Sequence, residues 1–126
     1  MKILLVSSSV TLFGFDRVTR LPNLGLCSIA GNHNCPDDEV KVLDLVAAKK
    51  PDKTFLATLS SFQPEVVGFS CMIFQFAEIG KLTRLVKNVN ENIITILGGY
   101  YATIDYDNIL DYQGCDAIDY ILRNEC

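Results

Sequence analysis

The chain has 126 residues, 49% of them hydrophobic and 21% charged, which is enough for one domain with a sizeable core and too apolar for a disordered tail. The net charge of −4 and a pI near 4.8 speak against nucleic acid as the main partner, because neutralising phosphates requires clustered Lys and Arg. No apolar run approaches the roughly 20 residues that cross a bilayer, so no membrane segment is expected.

The first apolar run, "KILLV" at 2–6, breaks into three serines. That is too early for an export signal, whose apolar stretch runs about 7–15 residues, so the run reads as a strand. A long loop from Ser7 to Asn23 follows, and then a short helix from Leu24, with Asn23 as its cap and Gly31 near its end. The next strand is "VKVLDL" at 40–45. Phe55, Leu59 and Phe62 then share one helical face. After the strand "EVVGFSCM" at 65–72, Ile79, Leu82, Val86 and Val89 mark the apolar face of another helix. The strand "IITIL" at 93–97 runs into Gly98 and Gly99. Asp105 stands where it caps a last helix through Leu110 and Tyr112, closed by Gly114. "AIDYIL" at 117–122 is the fifth strand.

Short apolar runs without polar alternation suit strands buried on both faces of a parallel sheet. Their alternation with helices implies right-handed crossovers and a doubly wound α/β domain over residues 1–126. Its sheet is five-stranded and parallel in the flavodoxin-like order 2-1-3-4-5, within a three-layer αβα arrangement. The chain stops just after the fifth strand, where a covering helix is expected, so it reads as part of a longer protein. The five cysteines, at 27, 35, 71, 115 and 126, are odd in number and form no Cys-x-x-Cys pair. They fit reduced thiols in the cytoplasm. A structural zinc site needs four ligands at characteristic spacing, and the chain offers one histidine and scattered cysteines.

In open parallel sheets a ligand lies beyond the carboxyl ends of the strands, near the point where strand order reverses. The segments there are the loop from Ser7 to Asn23, "SCMIF" after the third strand, "GGYYAT" after the fourth and "RNEC" after the fifth. Ser70, Gly98, Gly99 and Thr103 are small or polar, so a broad ligand can lie on this edge and send a narrow arm between strands. A flavodoxin holds phosphate in a tight Ser/Thr-Gly loop leading straight into the first helix. Ser7, Ser8 and Ser9 supply hydroxyls but no tight glycine turn. A phosphoacceptor receiver domain needs a carboxylate after the third strand to take phosphate and hold magnesium; that place holds Ser70-Cys71-Met72.

Ser70-Cys71-Met72 followed by Gly98-Gly99, with 25 residues between, resembles the Ser-x-Leu…Gly-Gly signature of cobalamin (vitamin B12)-binding domains. "RLPNLGL" at 20–26, "GGYYAT" at 98–103 and "DAIDYILRNE" at 116–125 resemble further segments of the cobalamin-binding domains that precede radical S-adenosylmethionine (radical-SAM) domains. The resemblance spans nearly the whole chain. It implies a corrin ring over the carboxyl edge and a nucleotide tail inserted beside the central strands, passing the bare backbone of Gly98 and Gly99. It further implies Ser70 as hydrogen-bonding partner of the tail, and Cys71, Met72, Tyr100 and Tyr101 as neighbours of ring and tail. Ser8, Asn23, Gly25, Thr103 and Glu125 complete the implied cofactor-binding set, Thr103 as a donor or helix cap. The implied partner is a C-terminal radical-SAM domain of the same polypeptide carrying an iron–sulfur cluster and S-adenosylmethionine, with methyl transfer one of the reactions open to it.

The Asp-x-His-x-x-Gly motif that supplies a lower axial cobalt ligand is absent from 7–23, so cobalamin without a lower histidine is expected. His33 lies on the way into the second strand, toward the amino edge, and reads as a solvated turn residue. "RNEC" replaces the relatives' Arg-Gly-Glu-Gly, where Asn124 tolerates the left-handed conformation. The cluster-binding Cys-x-x-x-Cys-x-x-Cys motif is missing and no acid–base pair suggests catalysis, so this chain alone is expected to bind, not to catalyse. Two alternatives stand beside this reading: a flavodoxin-like carrier of flavin mononucleotide, and a degenerate docking module without cofactor.

Overall fold

The computed structural model describes residues 1–11, 22–112 and 114–124. Five parallel strands, β1 (Lys2–Ser7), β2 (Glu39–Asp44), β3 (Val66–Ser70), β4 (Ile94–Gly98) and β5 (Tyr120–Ile121), form one sheet in the order β2-β1-β3-β4-β5. The helices are α1 (Leu24–Asn32), α2 (Pro51–Phe62), α3 (Phe76–Val89), α4 (Tyr100–Ile104) and α5 (Tyr106–Asp111). This is the flavodoxin-like α/β fold expected from the alternating pattern. No described helix is long and apolar enough to cross a membrane.

Local chemistry sets the helix ends. The Asn23 side chain accepts from Leu26 N at 3.1 Å and starts α1, satisfying an amide that lacks an intrahelical partner. Pro51 opens α2, where its missing N–H is harmless, and Gln63 closes it in the left-handed region at φ 52°. Glu78 sits in the first turn of α3 and Lys87 in its last, each opposing the partial charge of the helix end.

The order of crossovers assigns the layers. Chain travel from β1 to β2 runs opposite to the travel through β3, β4 and β5, so right-handed connections put α1 on one face and the other helices on the opposite one. The main core lies on the α2–α5 side and joins Leu4, Val6, Val67, Phe69 and Leu97 of the sheet to Phe55, Ile79, Leu82 and Val86. Its rings meet edge-on: Phe76 lies 5.2 Å from both Tyr101 and Tyr112, centroid to centroid. On the other face α1 packs over β1 and β2 and buries only Leu26. An added Cβ at Gly68 would press on Leu5 Cδ2 at 3.1 Å, so that glycine lets the Leu5 side chain lie flat on the sheet.

Three expectations are corrected. The strands are not all buried on both faces, since Ile94 and Tyr120 are exposed and much of β2 is only half-buried. The reason is the thin α1 layer. Val89 is exposed at the end of α3, beyond the part of the stripe that reaches the core. The helix expected after Asp105 is present as α5 with Asp105 at its N-cap position, but the Asp105 side chain makes no cap bond. The helix stops at Asp111, short of Gly114, and an unexpected short helix, α4, precedes it. Ile109 is the buried anchor of α5, while Leu110 and Tyr112 remain largely exposed.

The short β5 is pinned by polar contacts. Asp119 accepts from Thr95 N at 2.8 Å and Lys87 Nζ at 2.6 Å, and lies 3.0 Å from the Thr95 hydroxyl. Desolvation works to raise the Asp119 pKa, but the bonds from Lys87 and Thr95 outweigh it and hold the carboxyl below its ordinary value. A depressed folded-state pKa stabilises above the unfolded value of about 3.9 and is lost as pH falls through the folded value. Asp119→Asn is therefore expected to lower stability at neutral pH, with the gap to wild type closing on acidification below about pH 4, as read by urea unfolding across pH. Phe69→Ala empties a fully enclosed site and is expected to cost about 3–5 kcal/mol in the same assay.

Candidate functional site

The carboxyl edge is built on a row of small residues. Ser7 of β1 pairs with Ser70 of β3, and Ser70 pairs with Gly98 of β4. Paired residues of neighbouring parallel strands share a face, so the three lie side by side on the face that carries α1. Ser7 is committed, donating to Asp44 Oδ1 at 2.7 Å. The Ser70 hydroxyl is half-buried and makes no hydrogen bond among the described residues.

The two adjacent glycines have different causes. Gly99 has φ +98°, and a Cβ there would lie 2.9 Å from Cys71 N, 3.0 Å from Cys71 O and 3.1 Å from Ser70 Oγ. The fold itself demands glycine at 99. Gly98 is not in the left-handed region, and a Cβ there would meet only Phe69 O at 4.0 Å. Nothing within the described chain excludes a side chain at 98. The bare backbone at that position leaves space beside Ser70.

Cys71 is enclosed. Its N–H donates to Gly98 O at 3.0 Å and its carbonyl accepts from Tyr101 N at 3.1 Å. Burial pushes its thiol up to about 12, so it stays protonated and acts as a small packed group. Tyr101 is buried against Phe76, away from the edge surface. The rim is apolar and open instead at Val10, Met72, Ile73 and Tyr100, which are 38%, 42%, 66% and 63% exposed.

Two α3-side residues that carried no sequence signal hold this rim together. Glu78 accepts from the hydroxyls of Ser8 and Ser9 and from Ser9 N. Gln75 donates to Val10 O at 3.0 Å and accepts from Met72 N at 2.9 Å. Ser8 is thus buried with its hydroxyl turned toward Glu78. Asn23 commits its side-chain oxygen to capping α1, and Gly25 is exposed on the first turn, where a Cβ would meet Asn23 Oδ1 at 3.3 Å. Thr103 donates to Gly99 O at 3.2 Å and accepts from Asn124 N at 3.0 Å, joining the glycine turn to the segment after β5. Asn124 is left-handed at φ 63°. Glu125 lies outside the described residues.

Ser70, Met72, Gly98, Gly99 and Tyr100 therefore come together, with Ser8, Cys71 and Thr103 forming the structure beneath them. His33 lies at the opposite end, half-buried and 2.8 Å from Asp38 Oδ2, so it is a partnered group and not a solvated turn residue. A broad depression of about 920 Å³ also lies at the amino edge, lined by Leu56, Gln63, Glu65, Val89 and Ile94. The Glu65 carboxylate there already accepts from Lys2 N at 2.9 Å.

The family model of the B12 binding domain matches residues 11–125. An uncharacterized methyltransferase of Pyrococcus horikoshii is 29% identical over 127 residues, taking in 99% of this chain and 27% of that protein. The chain thus spans little more than a quarter of that relative's length.

The two glycines separate by experiment. Gly99→Ala is expected to lose about 1–3 kcal/mol of stability through backbone strain and contact with Cys71. Gly98→Ala is expected to be neutral or to gain about 0.5–1 kcal/mol, since it stiffens only the unfolded chain. Urea denaturation of both variants checks this.

Proposed function

The chain belongs to the B12-binding domain family, and on that premise we propose that it carries cobalamin on the carboxyl edge of its sheet for a catalytic domain of a longer polypeptide. The observation that supports this reading most is Gly98: nothing among the described residues calls for the omission of a side chain there, and the position pairs with Ser70, whose hydroxyl makes no hydrogen bond among those residues. A narrow polar arm fits such a place, because its buried groups need a partner and its bulk needs bare backbone.

Ser70 would donate a hydrogen bond to the inserted tail. Gly98 would let it lie against β4. Val10, Met72, Ile73 and Tyr100 would exclude water beneath the ring, with Gln75 and Glu78 fixing the loops that carry Val10 and Met72. Bound cobalamin would supply a cobalt centre able to carry a methyl group, with the protein contributing its orientation. The single histidine of the chain is His33, bonded to Asp38 at the amino edge, so the cofactor would sit without a lower histidine. The likeness to the uncharacterized methyltransferase of Pyrococcus horikoshii, of which this chain covers 27%, favours methyl transfer in the parent protein. We assign S-adenosylmethionine and an iron–sulfur cluster to a radical-SAM domain beyond this one.

Mixing the protein with hydroxocobalamin and desalting tests the reading. Retained colour with a base-off spectrum is the expected result. Ser70→Ala should weaken retention about tenfold, the scale of one hydrogen bond to a buried group, and Gly98→Val should abolish it while the fold survives. Flavin fluorescence in purified protein would instead identify a flavin mononucleotide carrier. Colour that washes off both this chain and the full-length protein would identify a docking module.

A further inference from the structure

The amino edge of the sheet carries a second group of chemistry-bearing side chains that cobalamin binding leaves unused. The imidazole of His33, the thiol of Cys35 and the carboxylate of Asp38 each present one ligand atom, and the three atoms lie within 4.8 Å of one another. Nε2 of His33 is 2.8 Å from Oδ2 of Asp38.

Backbone structure brings them together. His33 is the residue that closes α1. Cys35 and Asp38 are the two ends of a turn closed by Asp38 N–H to Cys35 O at 3.2 Å, with Pro36 in the second position, where its fixed φ suits the bend. Asp38 leads directly into β2, whose first residue bonds Met1 O at 2.8 Å. The other oxygen of Asp38, Oδ1, accepts from the Met1 amine at 2.9 Å, which leaves Oδ2 facing the imidazole. A ligating carboxylate held by its second oxygen is the outer-sphere support that metal sites use.

We propose that His33, Cys35 and Asp38 bind a divalent first-row transition ion, zinc foremost, with a fourth place left to water. Metal–ligand bonds of about 2.0–2.3 Å put neighbouring donors roughly 3–4 Å apart in a tetrahedral shell. The observed spread closes to that range by rotation of the exposed Cys35 side chain. A nitrogen, sulfur and oxygen set is wrong for magnesium and calcium, which take oxygen ligands, and right for zinc and its neighbours. On binding, the thiol releases its proton to solvent and the metal takes the place between imidazole and carboxylate. The site is separate from the cobalamin edge, because the six residues of β1 set the two ends of the sheet roughly 17 Å apart.

Titrating the cobalamin-free chain with cobalt(II), under a phosphine reductant and without chelator, tests the assignment. The expected result is one equivalent bound, with a thiolate-to-metal charge-transfer band that zinc(II) bleaches. Cys35→Ser should remove the band, His33→Gln should weaken binding at least about tenfold, and Cys27→Ser should change nothing. Cys27 and Cys35 are exposed and His33 is half-buried, and far-UV circular dichroism checks that each variant folds. No band at one equivalent, or a band that survives Cys35→Ser, overturns the proposal and leaves the His33–Asp38 pair as a simple staple.

Discussion

The carboxyl edge depends on one close approach, that of Gly99 to the backbone of Cys71. The two residues lie too near for any side chain at 99, and the strand ends around them exchange hydrogen bonds from Cys71 N to Gly98 O and from Tyr101 N to Cys71 O. These bonds prolong the β3–β4 pairing one step past the ladder and turn the chain directly into α4. They bury Cys71 and aim Tyr101 into the core and Tyr100 out of it. The ladder sets Gly98 beside Ser70, and the close approach at Gly99 fixes how the chain leaves that pair.

The two faces of the sheet are built unequally, and the asymmetry follows from topology. One reversal of direction in the strand order places a single helix on one side and the rest on the other. The heavily covered side holds the aromatic and aliphatic core and accounts for most of the buried apolar surface. The lightly covered side carries Ser7, Ser70 and Gly98. The small residues of the proposed binding row thus stand apart from the face that carries the core.

Much of this was legible in the residues. Apolar runs broken by helical spacing gave the strand order, because a buried strand and an amphipathic helix differ in period. Asn23 announced the start of α1 through local capping chemistry. What escaped were properties set by distant partners. Glu78 gave no signal, because its partners Ser8 and Ser9 lie some 70 residues earlier and no local pattern encodes that meeting. Val89 continued the helical stripe of α3 in sequence, but spacing does not say where the core ends. The adjacent glycines looked alike in sequence. Only the surrounding backbone separates one that the fold requires from one that it merely permits.

The Thr103 hydroxyl occupies an unusual junction, giving its proton to Gly99 O and receiving the Asn124 amide. A single side-chain oxygen therefore couples the exit of β5 to the glycine bend between β4 and α4. Any tug on the backbone at Asn124 has a short mechanical route to that bend, running through one rotatable bond. The bend after β4 and the segment after β5 thus share one hydroxyl as a common hinge pin.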